Sequence, residues 1–296
     1  MTHVYVFVYG SLCSGQDDHH LLREAELVSA QAFVRGTLYS GPLDEPLLLE
    51  DQSTWTYGEL YHIRHSLLSE LDDYEGFQPG NEDGEWYRKE TEVFSDTDSV
   101  MAETFYWNGV TKASISHNDW KVHQFLQQDS YIYFAYGSCM DDARFITQKV
   151  HHLFADVIGT GTLYDYRLAF SYHLNDGARA DIREGAHQKV EGVLYRINKQ
   201  ALHYLFLREG VEAGAYRPSI VPVEMDDGSV LQAVTFTVLS KKEDMPPPFH
   251  YAEEIVRGGE RYLSSEYIEA LKQRFLDDLK VQHFQEYMEK RSRSYD

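Results

Sequence analysis

Two glutamates and two short turns carry the chemistry that this sequence can perform. Glu75 and Glu209 each close a run with helical spacing, and a glycine follows each, Gly76 and Gly210, the usual helix stop. Counting back four and seven residues from Glu75 gives Leu71 and Leu68; from Glu209 it gives Leu205 and Leu202. Each carboxyl therefore shares an apolar helix face, where it is costly to ionise. Burial and the negative end of the helix dipole both raise its pKa, and a carboxyl poised nearer neutrality can take and give a proton. A buried glutamate also serves well as a hydrogen-bonded strut. Its recurrence in two places favours catalysis by Glu75 and Glu209.

The turns are Tyr9-Gly10-Ser11 and Tyr136-Gly137-Ser138, continued by Leu12 and by Cys139-Met140. Each ends an apolar run, Val6-Phe7-Val8 or Tyr133-Phe134-Ala135, which reads as a buried strand entering a tight turn. A Gly-Ser turn there leaves several N–H groups pointing one way, a small anion-binding nest. Cys139 is a possible nucleophile with His151 or His152 as base, but nothing in the sequence places those histidines beside it. His19-His20, His62 with His65, and His151-His152 form no closed ligand set of recognised spacing, so no metal is expected.

These pieces belong to a diverged internal repeat. Tyr9-Gly10-Ser11 maps onto Tyr136-Gly137-Ser138, Gly36-Thr37-Leu38-Tyr39 onto Gly161-Thr162-Leu163-Tyr164, and Gly58-Glu59-Leu60-Tyr61 onto Gly192-Val193-Leu194-Tyr195. Glu75-Gly76 then maps onto Glu209-Gly210, and Tyr87-Arg88 onto Tyr216-Arg217. The order is the same and the offset drifts only by loop lengths. Copy 2 gains residues between Arg167 and Lys189, and copy 1 is longer through the polar, Gly-containing stretch from Phe77 to Gly84. Loops that differ between copies suggest different ligands.

Each copy reads as strand, turn, short helical piece, several strands, a helix ending at Glu-Gly, and more strands. Mixed strands and helices without βαβ alternation predict an α+β fold. The expected boundaries are residues 1–112 for the first domain, 113–129 for a partly helical connector, 130–282 for the second domain with a C-terminal helix, and 283–296 for a frayed tail. Neither a Walker-type phosphate loop nor a Gly-x-Gly-x-x-Gly is present.

The 296 residues suffice for two domains with cores of their own. The balance of 27 Lys+Arg against 48 Asp+Glu repels phosphate backbones and anionic lipid, which disfavours nucleic acid and membrane surfaces as partners. Two cysteines make no disulfide framework, and no stretch approaches the roughly 20 apolar residues of a membrane span. A cytoplasmic location is expected.

Taken together, these residues resemble the γ-glutamylcyclotransferase family, in which a strand enters Tyr-Gly-Ser or Tyr-Gly-Thr and a glutamate follows late in a Leu-Asp-x-x-Glu-like context. Copy 1 is similar to the AIG2-like, γ-glutamylamine cyclotransferase branch through Val8-Tyr9-Gly10-Ser11-Leu12, Leu71-Asp72-Asp73-Tyr74-Glu75-Gly76 and Tyr87. Copy 2 looks like γ-glutamylcyclotransferase proper through Tyr136-Gly137-Ser138, Glu209-Gly210, Tyr216, Pro246-Pro247-Pro248, Tyr251 and Gly258-Gly259. The resemblance implies a small mixed β-barrel with flanking helices in each copy. It also implies cyclisation of a γ-glutamyl group to 5-oxoproline with release of the attached amine. The turn, with Leu12 in one copy and Cys139 and Met140 in the other, would hold the α-carboxylate; Glu75 or Glu209 would shuttle the proton; Tyr87 and Tyr216 would line the pocket. No cofactor is implied, only a small γ-glutamyl substrate. Copy 2 departs from its branch at Cys139, where Asn is usual, and a thiol braces a turn less well than an amide. Two alternatives stay open: a γ-glutamyl-binding protein without turnover, and one active copy beside one structural copy. The pair could also mimic a dimer within one chain.

Overall fold

The computed structural model describes residues 3–80 and 84–292. Met1 and Thr2 of the first copy, Asn81, Glu82 and Asp83 of the polar loop, and the tail from Arg293 lie outside the described residues. Two compact units divide the chain, residues 1–127 and 128–296.

The first unit contains β1 (His3–Val8), β2 (Glu26–Arg35), β3 (Thr37–Ser40), β4 (Pro46–Leu49), β5 (Trp55–Arg64), α1 (His65–Glu75), β6 (Trp86–Phe94), β7 (Ser99–Trp107) and α2 (Trp120–Phe125). The second contains β8 (Tyr131–Ala135), α3 (Asp142–Thr147), β9 (Val157–Leu174), β10 (Gly177–Ile197), α4 (Lys199–Arg208), β11 (Tyr216–Met225), β12 (Val230–Val238), α5 (Phe249–Gly259), α6 (Ser265–Asp277) and α7 (Phe284–Ser292). Strands β1, β5, β2, β6 and β7 close a barrel in that cyclic order, and β8, β10, β9, β11 and β12 close the other in the same order. In both, the strand before the Tyr-Gly-Ser turn pairs antiparallel on one side and parallel on the other. The fold is α+β, as the pattern of elements predicts.

Alternation along β1 sorts its side chains onto two faces. Phe7 joins Val34, Leu60 and Tyr106 in one buried cluster, and Val6 and Val8 join Tyr61, Phe105 and the helical Leu68 and Leu71 in another. Burying each of those leucines contributes roughly 1.5–3 kcal/mol to seating α1 on the barrel. The helix then stops at Gly76, whose left-handed φ of 76° an L side chain rarely adopts. Helix α4 is capped at its start by Asn198, which accepts from the Ala201 N–H at 2.9 Å, and is followed by Gly210 at φ 63°.

The segment 113–129 sends Ile115, Trp120, Val122 and Phe125 into the interior of the first unit. The stretch from residue 283, read as a tail, contains α7, anchored by the fully buried Phe284 against Phe275 at a ring-centroid distance of 5.2 Å.

The repeated Gly-x-Leu-Tyr has a steric cause. A Cβ on Gly58 would lie 2.1 Å from the Val8 carbonyl oxygen, and one on Gly192 would lie 2.6 Å from that of Ala135. Each glycine thus admits the strand that leads into the turn. Gly58→Ala is expected to cost about 1–3 kcal/mol. Gly185→Ala, which meets the flexible end of Gln188 and, at an ordinary 3.7 Å, the Cβ of Arg167, should stay within about 0.5 kcal/mol. Trp55, Trp86, Trp107 and Trp120 all fall in the first unit, so urea unfolding followed by tryptophan fluorescence reads the first cost without interference.

Candidate active site

In the first unit, α1 ends at the barrel mouth that β1 also reaches. Glu75 and the turn Tyr9-Gly10-Ser11-Leu12 line one cavity of about 230 Å3, together with Tyr74, Trp86, Phe105 and Pro46. The Tyr9 hydroxyl donates to the Phe105 carbonyl at 2.9 Å and ties the turn's first residue to β7. Gly10 is pressed against Pro46, whose Cγ would stand 2.7 Å from a Cβ there. Ser11 Oγ shares a 2.7 Å hydrogen bond with the Tyr74 hydroxyl, which itself donates to Asp18 at 2.7 Å. Among the described residues no lysine or arginine lines this cavity. Burial, and then the charge of Asp18, push the Glu75 carboxyl up to about 7. The second cause is a neighbouring carboxylate, where the sequence pointed to the helix dipole.

The second unit repeats the plan with different electrostatics. Glu209 follows the last residue of α4 and shares a cavity of about 400 Å3 with Tyr136, Gly137, Ser138 and Cys139. Tyr136 donates to the Phe236 carbonyl at 2.5 Å, as Tyr9 does to Phe105. Arg208 Nε lies 3.2 Å from Glu209 Oε1, and the Cys139 thiol is 4.0 Å from the same oxygen. Burial raises the Glu209 pKa, and the guanidiniums of Arg208 and Arg144 work against it without cancelling the rise. Arg179 also lines the cavity. Its Nη2 donates to both carboxylate oxygens of Asp176, at 3.0 and 2.9 Å, and the guanidinium lies 5.1 Å from the Tyr251 ring centre. Tyr216 is in the wall and donates to the Ala180 carbonyl at 2.8 Å, while the Tyr251 hydroxyl accepts from the Ala180 N–H at 3.2 Å.

Two expected residues stand elsewhere. Tyr87 is not in the wall of the first cavity: it stacks on Tyr106 and donates to Glu50 at 2.8 Å, while its neighbour Trp86 faces the cavity. A strand side chain one position along points to the opposite face, so one residue of offset between the copies exchanges the two. Met140 is fully buried outside the wall of the second cavity. Residues that sequence reasoning missed are Asp18, Tyr74, Trp86, Arg144, Arg179 and Arg208. Arg208 was adjacent to the proposed glutamate, and Arg179 sits in the stretch that copy 2 gains; neither position marks a pocket without the fold.

The family described as "Gamma-glutamyl cyclotransferase, AIG2-like" matches residues 6–122, and the "AIG2-like family" matches residues 189–271. YkqA of Bacillus subtilis (strain 168), by its name a candidate gamma-glutamylcyclotransferase, is 40% identical over 277 residues, which is 90% of this chain and 95% of that one. Its crystal structure superposes with a TM-score of 0.84 at 37% identity, covering 93% of this chain and 98% of that one. The gamma-L-glutamyl-butirosin B gamma-glutamyl cyclotransferase of Niallia circulans is 31% identical over 40% of this chain and 76% of its own length.

Among the described residues no cation pairs with Glu75, and this has a thermodynamic signature. The folded pKa of Glu75 lies above its unfolded value, so the fold prefers the protonated form; stability from this group is present below pH 4.5 and is lost as pH rises through 7. Glu75→Gln should therefore stabilise the first unit by roughly 2–3 kcal/mol at pH 8 and by little at pH 4, read by urea unfolding with tryptophan fluorescence. Asp18→Asn should give a smaller gain of the same sign.

Proposed function

The chain belongs to the γ-glutamylcyclotransferase family, in its AIG2-like form, and from that premise we propose that both units cyclise γ-glutamyl compounds to 5-oxoproline. The observation that supports this most strongly is the recurrence, in two barrels of the same strand order, of a partly buried carboxyl in one cavity with a Tyr-Gly-Ser turn. The N–H groups of the turn would hold the α-carboxylate of the glutamyl group. Glu75 or Glu209, ionised, takes a proton from the α-ammonium, and the freed amine attacks the γ-carbonyl carbon within the same molecule. The C–N bond to the leaving group then breaks, the carboxyl returns its proton to the departing nitrogen, and the ring nitrogen gives up its second proton to solvent as the lactam forms. A carboxyl held near 7, as Glu75 is, suits both directions.

The cavities support different leaving groups. The first is lined by Glu45 and Glu75 with no cation among its described residues, which suits a γ-glutamyl amine. The second carries Arg144, Arg179 and Arg208, which suit a leaving amino acid that keeps its own carboxylate. A second reading follows from Arg208 and Cys139 beside Glu209: the second unit binds γ-glutamyl ligands and the first alone turns them over.

Incubation with panels of γ-glutamyl amines and γ-glutamyl amino acids, followed by assay of 5-oxoproline, tests both readings. Glu75→Gln should lower turnover of the amines, and Glu209→Gln that of the amino acids, each by about 10²–10⁴-fold. No product from either panel sinks the proposal, and loss of all activity with Glu75→Gln alone establishes the second reading. In the Glu209→Gln chain, activity should fall as pH drops below about 7, because the protonated Glu75 cannot accept the ammonium proton.

A further inference from the structure

Each turn is braced by a buried carboxylate, reached through Ser14 in the first unit and carried by Asp141 itself in the second, and in each unit the cation that pairs with that carboxylate comes from a helix lying after the last barrel strand. In the first unit the carboxylate is Glu59 of β5, fully buried. Its Oε1 accepts from Lys121 Nζ at 2.7 Å, and Lys121, on α2, is itself only 9% exposed. Its Oε2 accepts from the Ser14 N–H at 2.7 Å, from Ser14 Oγ at 3.0 Å and from the Tyr61 hydroxyl at 2.7 Å. Every donor around this carboxylate is accounted for, as a buried charge requires. Ser14 stands two residues past Leu12. The loop between them is tightened by Cys13 N–H to the Gly10 carbonyl at 3.0 Å and Gln16 N–H to the Cys13 carbonyl at 3.0 Å. The loop is thus pinned at its entrance by Tyr9 and at its exit by Glu59.

The second unit cannot use the same device, because Val193 occupies the position of Glu59. It uses another. Asp141, buried directly after Ser138-Cys139-Met140, accepts from Arg257 Nε at 3.0 Å and pairs with the same guanidinium a second time through its terminal nitrogen. Arg257 lies on α5, which presses so closely on the turn that a Cβ on the adjacent Gly258 would stand 2.6 Å from the Asp141 nitrogen.

We propose that Lys121 and Arg257 are positioning residues: each reaches back from the helix appended to its barrel and, through Glu59 or Asp141, fixes the loop whose N–H groups bind the substrate carboxylate. Neither side chain lines its cavity, so neither touches substrate. The appended helices are on this view working parts of the sites rather than wrapping. The proposal rests on the carboxylate-binding reading of the turns given above.

The test uses the full chain and L-glutamate as probe, which carries the α-carboxylate but no scissile amide, with binding read at the amide resonances of each turn. Glu59→Leu with Lys121→Met removes both charges and keeps an apolar core of similar volume, but the Ser14 N–H and the Tyr61 hydroxyl lose their acceptor, so stability followed by tryptophan fluorescence should fall modestly with the chain still folded. Affinity read at Gly10, Ser11 and Leu12 should fall about tenfold, with that read at Gly137, Ser138 and Cys139 unchanged. Arg257→Gln with Asp141→Asn, which removes both charges of the pair and leaves no buried carboxylate uncompensated, should produce the converse pattern. A Lys121→Arg chain should retain most of the affinity. Unchanged affinity at the affected turn in either variant overturns the proposal for that unit, including for a Glu59→Leu/Lys121→Met chain of reduced stability. No response at either turn in the unaltered chain overturns the carboxylate-binding reading and the positioning roles with it, whereas a response without 5-oxoproline production overturns only the turnover proposed above.

Discussion

A carboxyl withdrawn from water must be neutralised, paired with a cation or held at a cost, and both halves of this chain are arranged around that constraint. Helices α1 and α4 bring a glutamate to the barrel mouth because leucines one and two turns earlier are committed to the core and a left-handed glycine stops the helix there. The first unit takes the costly solution, a Glu75 with no cation beside it among the described residues, set against Trp86 and Phe105 with Asp18 close enough to be felt. The second takes the paired one, with Arg208 at 3.2 Å. Groups buried without a partner are usually purged from folded proteins, and those retained concentrate where proton transfer is the task.

The pieces legible in the sequence were those whose meaning is local. A strand entering Gly-Ser, a glutamate four and seven residues beyond leucines and a glycine after it each depend on spacing within one element, and the repeat exposed them twice. The glycine of Gly-x-Leu-Tyr was visible as a repeat but explained only by the neighbouring strand's carbonyl oxygen. What escaped depends on parity or on contacts distant in the chain. Whether Tyr87 or Trp86 faces the cavity turns on the register of β6 against β7, where Tyr87 stands opposite Tyr106. The three arginines of the second cavity come from α3, β10 and α4, and no spacing rule joins them. Residues 113–129 read as a partly helical connector between the copies, and the structure sends Ile115 and Trp120 from that stretch into the cluster around Phe7 and Val34.

The two barrels share their strand order but not the groups that brace them. Where the first closes its turn with a carboxylate on β5, the second has valine at that strand position and turns to Asp141. The two turns thus occupy equivalent places in their barrels while the carboxylates beside them come from different positions.

That difference also bears on how the chain finds its fold. Two barrels of one topology in a single polypeptide give every strand a rival that would fit the same slot, the condition under which tandem repeats misassemble. β10 threaded in place of β5 would set Val193 where Glu59 belongs and leave the Lys121 ammonium in the interior without the carboxylate it pairs with, at a cost of several kcal/mol. The ion pair that steadies one loop therefore also discriminates against the wrong strand, and the divergence of the copies keeps each half loyal to its own partners.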